Sequence, residues 1–285
     1  MSREAEIRAL LARHGFRFSK SMGQNFLIDP IVPEDIAAAT RADRDTHVLE
    51  IGPGIGALTS ELCRLAGFVT AVELDRTLLP MLDETMADFD NFEVVQSDVL
   101  KLDLAEVMSR RPDLPRKLAA SNLPYNITAP AIAKLLQSNA FETITLMIQR
   151  EVALRIVAAP GTKDYGAFTV FVQYHAEAEK LFDVPPNSFI PAPKVTSSVI
   201  RLTPKPAPAE VEDEGYFFRV VKAAFGQRRK TLVNALKAGG FNLTGEEISA
   251  AVEVCGIAPL ARGETLGIPE FASLAKELKK RESVA

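Results

Sequence analysis

The sequence predicts an α/β fold of the Rossmann-like type, followed by a small all-helical C-terminal domain. Residues 46–73 read as strand, glycine-rich turn, helix and strand, the pattern of a βαβ unit. Further apolar runs at 92–95, 117–120 and 144–148 have strand length and are interleaved with helical patterns. Residues 203–215 are Pro-rich and then acidic, which marks a linker. Beyond it every pattern is helical, near 215–225, 228–238, 245–254 and 269–281. The domain boundary is therefore expected between residues 203 and 204.

Composition narrows the class. The 285 residues are 47% hydrophobic and 25% charged, a globular profile. No run of about 20 apolar residues is present, so no membrane span is expected. The N-terminus carries no secretory pattern, and Glu4 and Glu6 argue against a transit peptide. Cys63 and Cys255 are far apart and suit a reducing compartment, so a cytoplasmic location is expected. His14, His47 and His175 form no cluster, and no metal site is expected. The net charge of −4 excludes a uniformly basic surface but not basic patches.

Residues 1–21 place Arg3, Arg8, Arg13, Arg17 and Lys20 around Ile7, Leu10 and Leu11. That spacing predicts a short basic amphipathic helix followed by an extended arm; its ordinary reading is a solvated helix face. Gln24 and Asn25 follow in a loop beside Phe26 and Leu27, where amides can bind a carboxylate or a base edge.

Val48–Ile51 is the first strand of the βαβ unit, Gly52, Gly54 and Gly56 its turn, and residues 57–65 its helix. The second strand, 68–72, ends at Glu73, placed to hold ribose hydroxyls. Gly52, Gly54 and Ala57 also fit a relaxed dinucleotide fingerprint, so two cofactor classes stay open. Glu50 leans towards S-adenosylmethionine, because a carboxylate is awkward beside a pyrophosphate and tolerable beside a sulfonium or an ammonium. Asp98, after the third strand, is placed to accept from an adenine amine; its plainer reading is an N-cap.

The stretch Asn122-Leu123-Pro124-Tyr125 follows the strand at 117–120. It puts an amide, a proline and an aromatic ring at the carboxyl end of a strand, where open α/β sheets form ligand crevices. Asn122 Oδ1 and a backbone carbonyl near Pro124 can accept two hydrogen bonds from an exocyclic amine, and Tyr125 can stack on a flat base. Residues 144–148 form a fifth strand, 166–174 a strand or a buried helix, and 195–202 an alternating strand. The Pro-rich loop 185–194 presents Phe189 as a second stacking ring or an apolar plug. Arg228, Arg229 and Lys230 are expected at the start of the second C-terminal helix, where they oppose the macrodipole and suggest an anionic partner.

Together these motifs resemble the KsgA-type rRNA adenine N6,N6-dimethyltransferases: residues 20–27 (KSMGQNFL), 50–56 (EIGPGIG), Glu73-Leu74-Asp75, Asp98, 122–125 (NLPY), 185–195 (PPNSFIPAPKV) and 224–236 (AFGQRRKTLVNAL). They span residues 20–236 in the family's order. The resemblance implies a class I S-adenosylmethionine-dependent methyltransferase with a mostly parallel seven-stranded sheet. It further implies N6,N6-dimethylation of two adjacent adenosines in a hairpin loop near the 3′ end of small-subunit rRNA, within a pre-formed subunit, by a monomer. Carried onto this sequence, Gln24, Asn25 and Leu27 meet the methionine end of the cofactor, and Glu50, Gly52, Gly54 and Gly56 line its path. Glu73 and Leu74 meet the ribose, and Asp98 and Val99 the adenine. Asn122 sits between the cofactor and the target amine and meets both, Leu123 and Pro124 meet that amine, Tyr125 and Phe189 sandwich the base, and Arg17, Lys20, Arg228, Arg229 and Lys230 meet RNA. The rival readings are an erythromycin-resistance-type large-subunit rRNA methyltransferase, a non-catalytic assembly or transcription factor on the same fold, and a nicotinamide dehydrogenase.

Overall fold

The computed structural model describes residues 3–18, 24–208 and 210–283. The chain divides into two compact units, Met1–Ala153 with Glu177–Pro204, and Leu154–Ala176 with Lys205–Ala285.

The first unit opens with α1 (Arg3–Arg13), β1 (Phe26–Leu27) and α2 (Ile31–Thr40). It continues as β2 (Thr46–Ile51), α3 (Ala57–Leu65), β3 (Phe68–Glu73), α4 (Leu79–Thr85), β4 (Phe92–Gln96), α5 (Leu104–Ser109), β5 (Arg116–Asn122), α6 (Thr128–Gln137) and β6 (Thr143–Gln149). After α7 (Arg150–Ile156) and α8 (Ala167–His175) come β7 (Ala176–Val184), β8 (Phe189–Ile190) and β9 (Ser197–Pro204). Seven strands form one sheet in the order β4-β3-β2-β5-β6-β9-β7, and β1 pairs with β8 outside it. From β2 the chain winds outward through β3 and β4, then returns to build β5 and β6 on the other side. All these pairings are parallel, and β9 runs antiparallel to β6. The reversal beside β2 is where a doubly wound sheet opens a crevice at its carboxyl edge.

Burial explains the strand sequences. Every residue of β2 is buried, as expected for a strand covered on both faces, and this includes the polar Thr46, His47 and Glu50. The predicted alternation of β9 gives way to burial of its first four residues, because β9 lies inside the sheet between β6 and β7. β7 itself escaped the sequence reading: its charged residues Glu177, Glu179, Lys180 and Asp183 mark an edge strand and mask its period.

The second unit adds α9 (Glu214–Gly226), α10 (Leu232–Lys237), α11 (Gly245–Val254) and α12 (Ile268–Glu282). Its core joins Tyr174 of α8 to Phe217, Val220, Leu236, Ile248, Phe271 and Leu278. The Tyr174 and Phe217 rings lie 5.2 Å apart, and Tyr165 Oη donates to the Leu266 carbonyl at 2.9 Å. The expected boundary at 203/204 lies one residue from the break after Pro204, but the first unit is not continuous: residues 154–176 pack with the C-terminal helices although they precede the sheet's last strands. The undecided stretch 166–174 is helical for the same reason, since α8 supplies one face of that core. Among the described residues no helix is long and apolar enough to cross a membrane.

Candidate active site

A cavity opens at the carboxyl ends of β2, β3 and β5, with β1 closing one side. Its floor is the glycine turn. Gly52 and Gly54 hold φ of +67° and +61°, a left-handed conformation that side chains resist. Gly52 N–H donates to the Val72 carbonyl at 2.9 Å, which ties the turn to β3. A Cβ on Gly54 would sit 3.2 Å from the Phe26 ring, so the turn and β1 meet closely here. Gly56 is a correction. It caps α3 at φ +84°, packed against Met86 and Thr85, and does not reach the cavity wall.

Three acids line the cavity. Glu50 is 1% exposed, and its Oε2 has no hydrogen-bond partner among the described residues. Burial, with a contribution from the charge of Glu73, pushes its carboxyl up to about 8. Glu73 is also raised, chiefly by burial; its Oε1 accepts the Asp75 N–H at 2.7 Å. Asp98 Oδ1 caps the turn after β4 by accepting the Leu100 N–H at 3.0 Å. The plain N-cap reading is thus true of Asp98, and its position on the wall is true as well. A buried carboxyl with one oxygen unpartnered, beside a close-approach glycine turn, fits a ligand that carries positive charge and a nucleoside half.

Opposite the acids stand Asn122, Leu123, Pro124 and Tyr125, all on the wall. Leu123 N–H donates to the Met147 carbonyl at 3.1 Å, which fixes the turn leaving β5. The Pro124 carbonyl already accepts from the Ile127 N–H (3.2 Å) and the Thr128 hydroxyl (3.3 Å). Asn122 Nδ2 donates to the Asn25 carbonyl at 3.4 Å, which turns Oδ1 away from that oxygen. Tyr125 is half-buried, with its Oη 2.8 Å from Ser197 Oγ; burial raises its hydroxyl pKa.

Gln24, Asn25, Leu27, Leu74 and Val99 also line the cavity. Phe189 does not. It is 3% exposed, paired with Leu27 in the β1–β8 ladder and packed among Val32, Val184 and Val199. The apolar-plug reading of Phe189 is the one the structure supports. The sequence reading missed Phe26, Ile51, Ile55, Leu78, Ser97 and Ile127 as wall residues. Most are apolar positions next to motif residues, with no chemical signature of their own.

Among the expected RNA-binding residues, Lys20 lies outside the described residues. Arg17 is exposed. Gln227 to Lys230 do not begin a helix: α9 ends at Gly226 and α10 starts at Leu232 behind Thr231. The cations lie in the turn between the C-terminus of α9, where positive charge is favourable, and the N-terminus of the short α10, where it is not, so they do not oppose one macrodipole in the way expected. Arg228 is tied down, donating to the Lys163 carbonyl and pairing with Glu264 at 3.3 Å. Arg229 and Lys230 are exposed, with no ion-pair partner among the described residues.

The profile of the family described as "Ribosomal RNA adenine dimethylase" matches residues 15–280. A protein of Alkaliphilus metalliredigens named ribosomal RNA small subunit methyltransferase A is 45% identical over 98% of both chains. Its namesake from Listeria innocua is 48% identical over 94% of this chain and 93% of its own. Among solved structures, a dimethyladenosine transferase from Plasmodium falciparum superposes with a TM-score of 0.71 at 25% identity, covering 90% of this chain and 98% of that one. The 23S rRNA methyltransferase ErmE superposes with a TM-score of 0.66 at 27% identity, covering 89% and 99%. The sheet order and the carboxyl-edge cavity are those of a class I S-adenosylmethionine-dependent methyltransferase. The chain belongs to the ribosomal RNA adenine dimethylase family, enzymes that methylate rRNA adenines with S-adenosylmethionine.

Proposed function

We propose that this chain places two methyl groups on N6 of each of two adjacent adenosines in the 3′-terminal hairpin loop of small-subunit (16S) rRNA. It acts as a monomer, in the cytoplasm, on a pre-assembled subunit late in ribosome assembly. The observation that carries the reading is the Asn122 amide, held on the cavity wall across from the acids by the Asn25 carbonyl.

S-adenosylmethionine supplies an electrophilic methyl group on a sulfonium. Gln24, Asn25, Glu50, Gly52, Gly54, Glu73 and Asp98 hold it. Glu50 gives the positive charge a buried carboxyl, and Glu73 accepts from the ribose hydroxyls. An adenine amine is a poor nucleophile because its lone pair is delocalised into the ring. Asn122 Oδ1 accepts a hydrogen bond from one N6–H and a backbone carbonyl one from the other, which favours a pyramidal nitrogen, and the surplus proton leaves to water only after the methyl group has transferred. The Pro124 carbonyl already has two donors, so the Leu123 carbonyl is the better second acceptor. Tyr125 stacks on the extruded base, offsets part of the cost of unstacking and favours the charge that develops on the ring. Positioning and exclusion of water carry most of the acceleration. With Phe189 in the core, Tyr125 supplies the stacking face from this wall alone. In the first unit Arg17 contacts phosphates; in the second Arg229 and Lys230 do so, with Arg228 contributing beside them from its tethered position.

The test is transfer of label from radiolabelled S-adenosylmethionine to purified small and large subunits lacking the modification, followed by digestion to nucleosides. N6,N6-dimethyladenosine from small subunits is the expected result. Label confined to large subunits would favour the second reading, which the likeness to ErmE raises. Label that stops at the monomethyl stage would remove dimethylation from the proposal.

A further inference from the structure

Gln24 and Asn25 bridge the cavity. Gln24 Nε2 donates to Asp75 Oδ2 at 2.7 Å, just beyond the end of β3. The next residue's carbonyl accepts from Asn122 Nδ2, at the end of β5. In the sheet β3 and β5 flank β2, so their ends lie two strand spacings, about 10 Å, apart. Two consecutive α-carbons cover only about 3.8 Å, and the side chains of Gln24 and Asn122 make up the rest. Residues 24 and 25 thus form a strap over the end of β2, above Glu50 and the glycine turn.

Asp75 anchors that strap without belonging to the cavity. It is absent from the cavity wall, which passes from Leu74 to Leu78. Its Oδ1 accepts the Thr77 N–H (2.9 Å) and hydroxyl (2.6 Å), which leaves Oδ2 directed at Gln24. Burial alone would raise its pKa, but hydrogen bonds from Thr77 and Gln24 outweigh it and hold the carboxyl below its ordinary range. The latch is therefore a charge-assisted hydrogen bond, stronger than a neutral one.

What the strap holds matters for the reaction. The terminal torsion of an asparagine has two broad, nearly equivalent wells that exchange its oxygen and nitrogen. With Nδ2 on the Asn25 carbonyl, Oδ1 is the atom left to accept a hydrogen bond from the target amine. A flip would set Oδ1 against the Asn25 carbonyl, two acceptors facing each other, and offer donors to an amine that needs acceptors. We propose that Asp75 is a positioning residue for methyl transfer: through Gln24 it anchors the strap, and the Asn25 carbonyl then fixes the Asn122 amide in its productive orientation. The inference rests on the proposed role of Asn122 and adds to it a residue outside the cavity.

The experiment compares three variants on undermethylated small subunits, reading kcat, KM for S-adenosylmethionine, and cofactor affinity by calorimetry. Asp75→Ser keeps a hydroxyl to accept from the Thr77 N–H but is too short to reach Gln24. Asp75→Asn keeps the length, and either amide can turn to re-form the pair. Thr77→Val leaves the latch and removes a neighbouring bond of Asp75. The expected outcome is a fall in kcat of at least about tenfold for Asp75→Ser, since an ångström of misplacement can cost about a hundredfold. Cofactor affinity should fall by a smaller factor than kcat, since Gln24 and Asn25 are only part of what holds the cofactor and Asp75 itself does not touch the wall. Asp75→Asn should recover most of kcat, and Thr77→Val should resemble wild type. An unchanged kcat for Asp75→Ser overturns the proposal. So does a loss confined to cofactor affinity, or one that asparagine does not restore. A wild-type chain that binds cofactor and methylates nothing would instead sink the underlying function.

Discussion

Glu50 and Glu73 end neighbouring parallel strands and face one cavity, and the carboxyl pKa of each is raised by burial. Two acids this close, one of them with an oxygen left unpartnered, are costly to ionise in the absence of a positive charge. The site is built so that a cationic ligand relieves that cost.

This arrangement fixes the sign of a pH dependence. Glu50 titrates at about 8 in the folded chain, against an ordinary value of 4.5. A raised pKa means that the folded state holds its proton more tightly. Its contribution to stability is complete below the ordinary value and is lost as pH rises through about 8. His47 acts in the opposite sense: burial, aided by Lys117, depresses it to about 4, so its contribution is present above the ordinary 6.5 and lost as pH falls through about 4. The comparison that isolates Glu50 is the melting temperature of ligand-free wild type minus that of Glu50→Gln. That difference should fall steadily between pH 5 and 8, and saturating S-adenosylmethionine, which holds Glu50 ionised as it is in the unfolded chain, should flatten the trend. A difference flat across this range would mean that Glu50 is ionised in the empty cavity.

Replacing Asn122 separates binding from chemistry. Asn122→Ala removes one acceptor for the amine and leaves the acids and the glycine turn in place. Turnover should fall by at least about a hundredfold, the usual scale for losing one preorganised polar group at a reacting centre. Calorimetric cofactor affinity should change by less than about threefold. Comparable losses in both quantities would show that Asn122 serves the cofactor and not the target base.

The sheet was legible because each of β2 to β6 carries a short apolar stretch of strand length and amphipathic helices separate them, although β4 is only half-buried. The wall residues Asn122, Tyr125, Glu50, Glu73 and Asp98 were legible because polar groups at strand ends have few structural uses. The reading failed where a residue's role depends on partners distant in sequence. Phe189 looks exposed in a Pro-rich loop, and only its pairing with Leu27, more than 160 residues earlier, reveals it as core. Residues 154–176 precede two strands of the main sheet, yet their apolar face is completed by helices after the linker. Asp75 was visible only as part of a motif, because its bond to Gln24 spans 51 residues.

Phe189 consequently affects the fold before it affects the substrate. Phe189→Ala should cost about 3–5 kcal/mol, the range for truncating a buried aromatic, and lower the melting temperature sharply. Phe189→Leu keeps most of the apolar volume and should cost roughly 1 kcal/mol. If Phe189 is core, Phe189→Leu methylates at nearly the wild-type rate per folded molecule. A Phe189→Leu chain that melts normally yet loses turnover would return this ring to the substrate.

The basic turn after α9 divides into a structural and a free part. Arg228 is tied to the Lys163 carbonyl and to Glu264. Its replacement by Ala should loosen the second unit as well as weaken RNA binding, and the two losses will be mixed. Arg229 and Lys230 are exposed and unpaired among the described residues, so their replacement should leave the melting temperature within a degree or two. Removing one cation from a phosphate lowers the slope of log affinity against log salt by about 0.7–0.9. The double variant Arg229→Ala/Lys230→Ala should therefore bind small subunits more weakly at low salt and flatten that slope by about 1.4–1.8. Affinities of variant and wild type should converge as salt rises, because the missing interaction is one that salt screens. A uniform loss of affinity at every salt concentration would assign these residues a shape or hydrogen-bonding role, and an unchanged slope would move the phosphate-binding cations off this turn altogether.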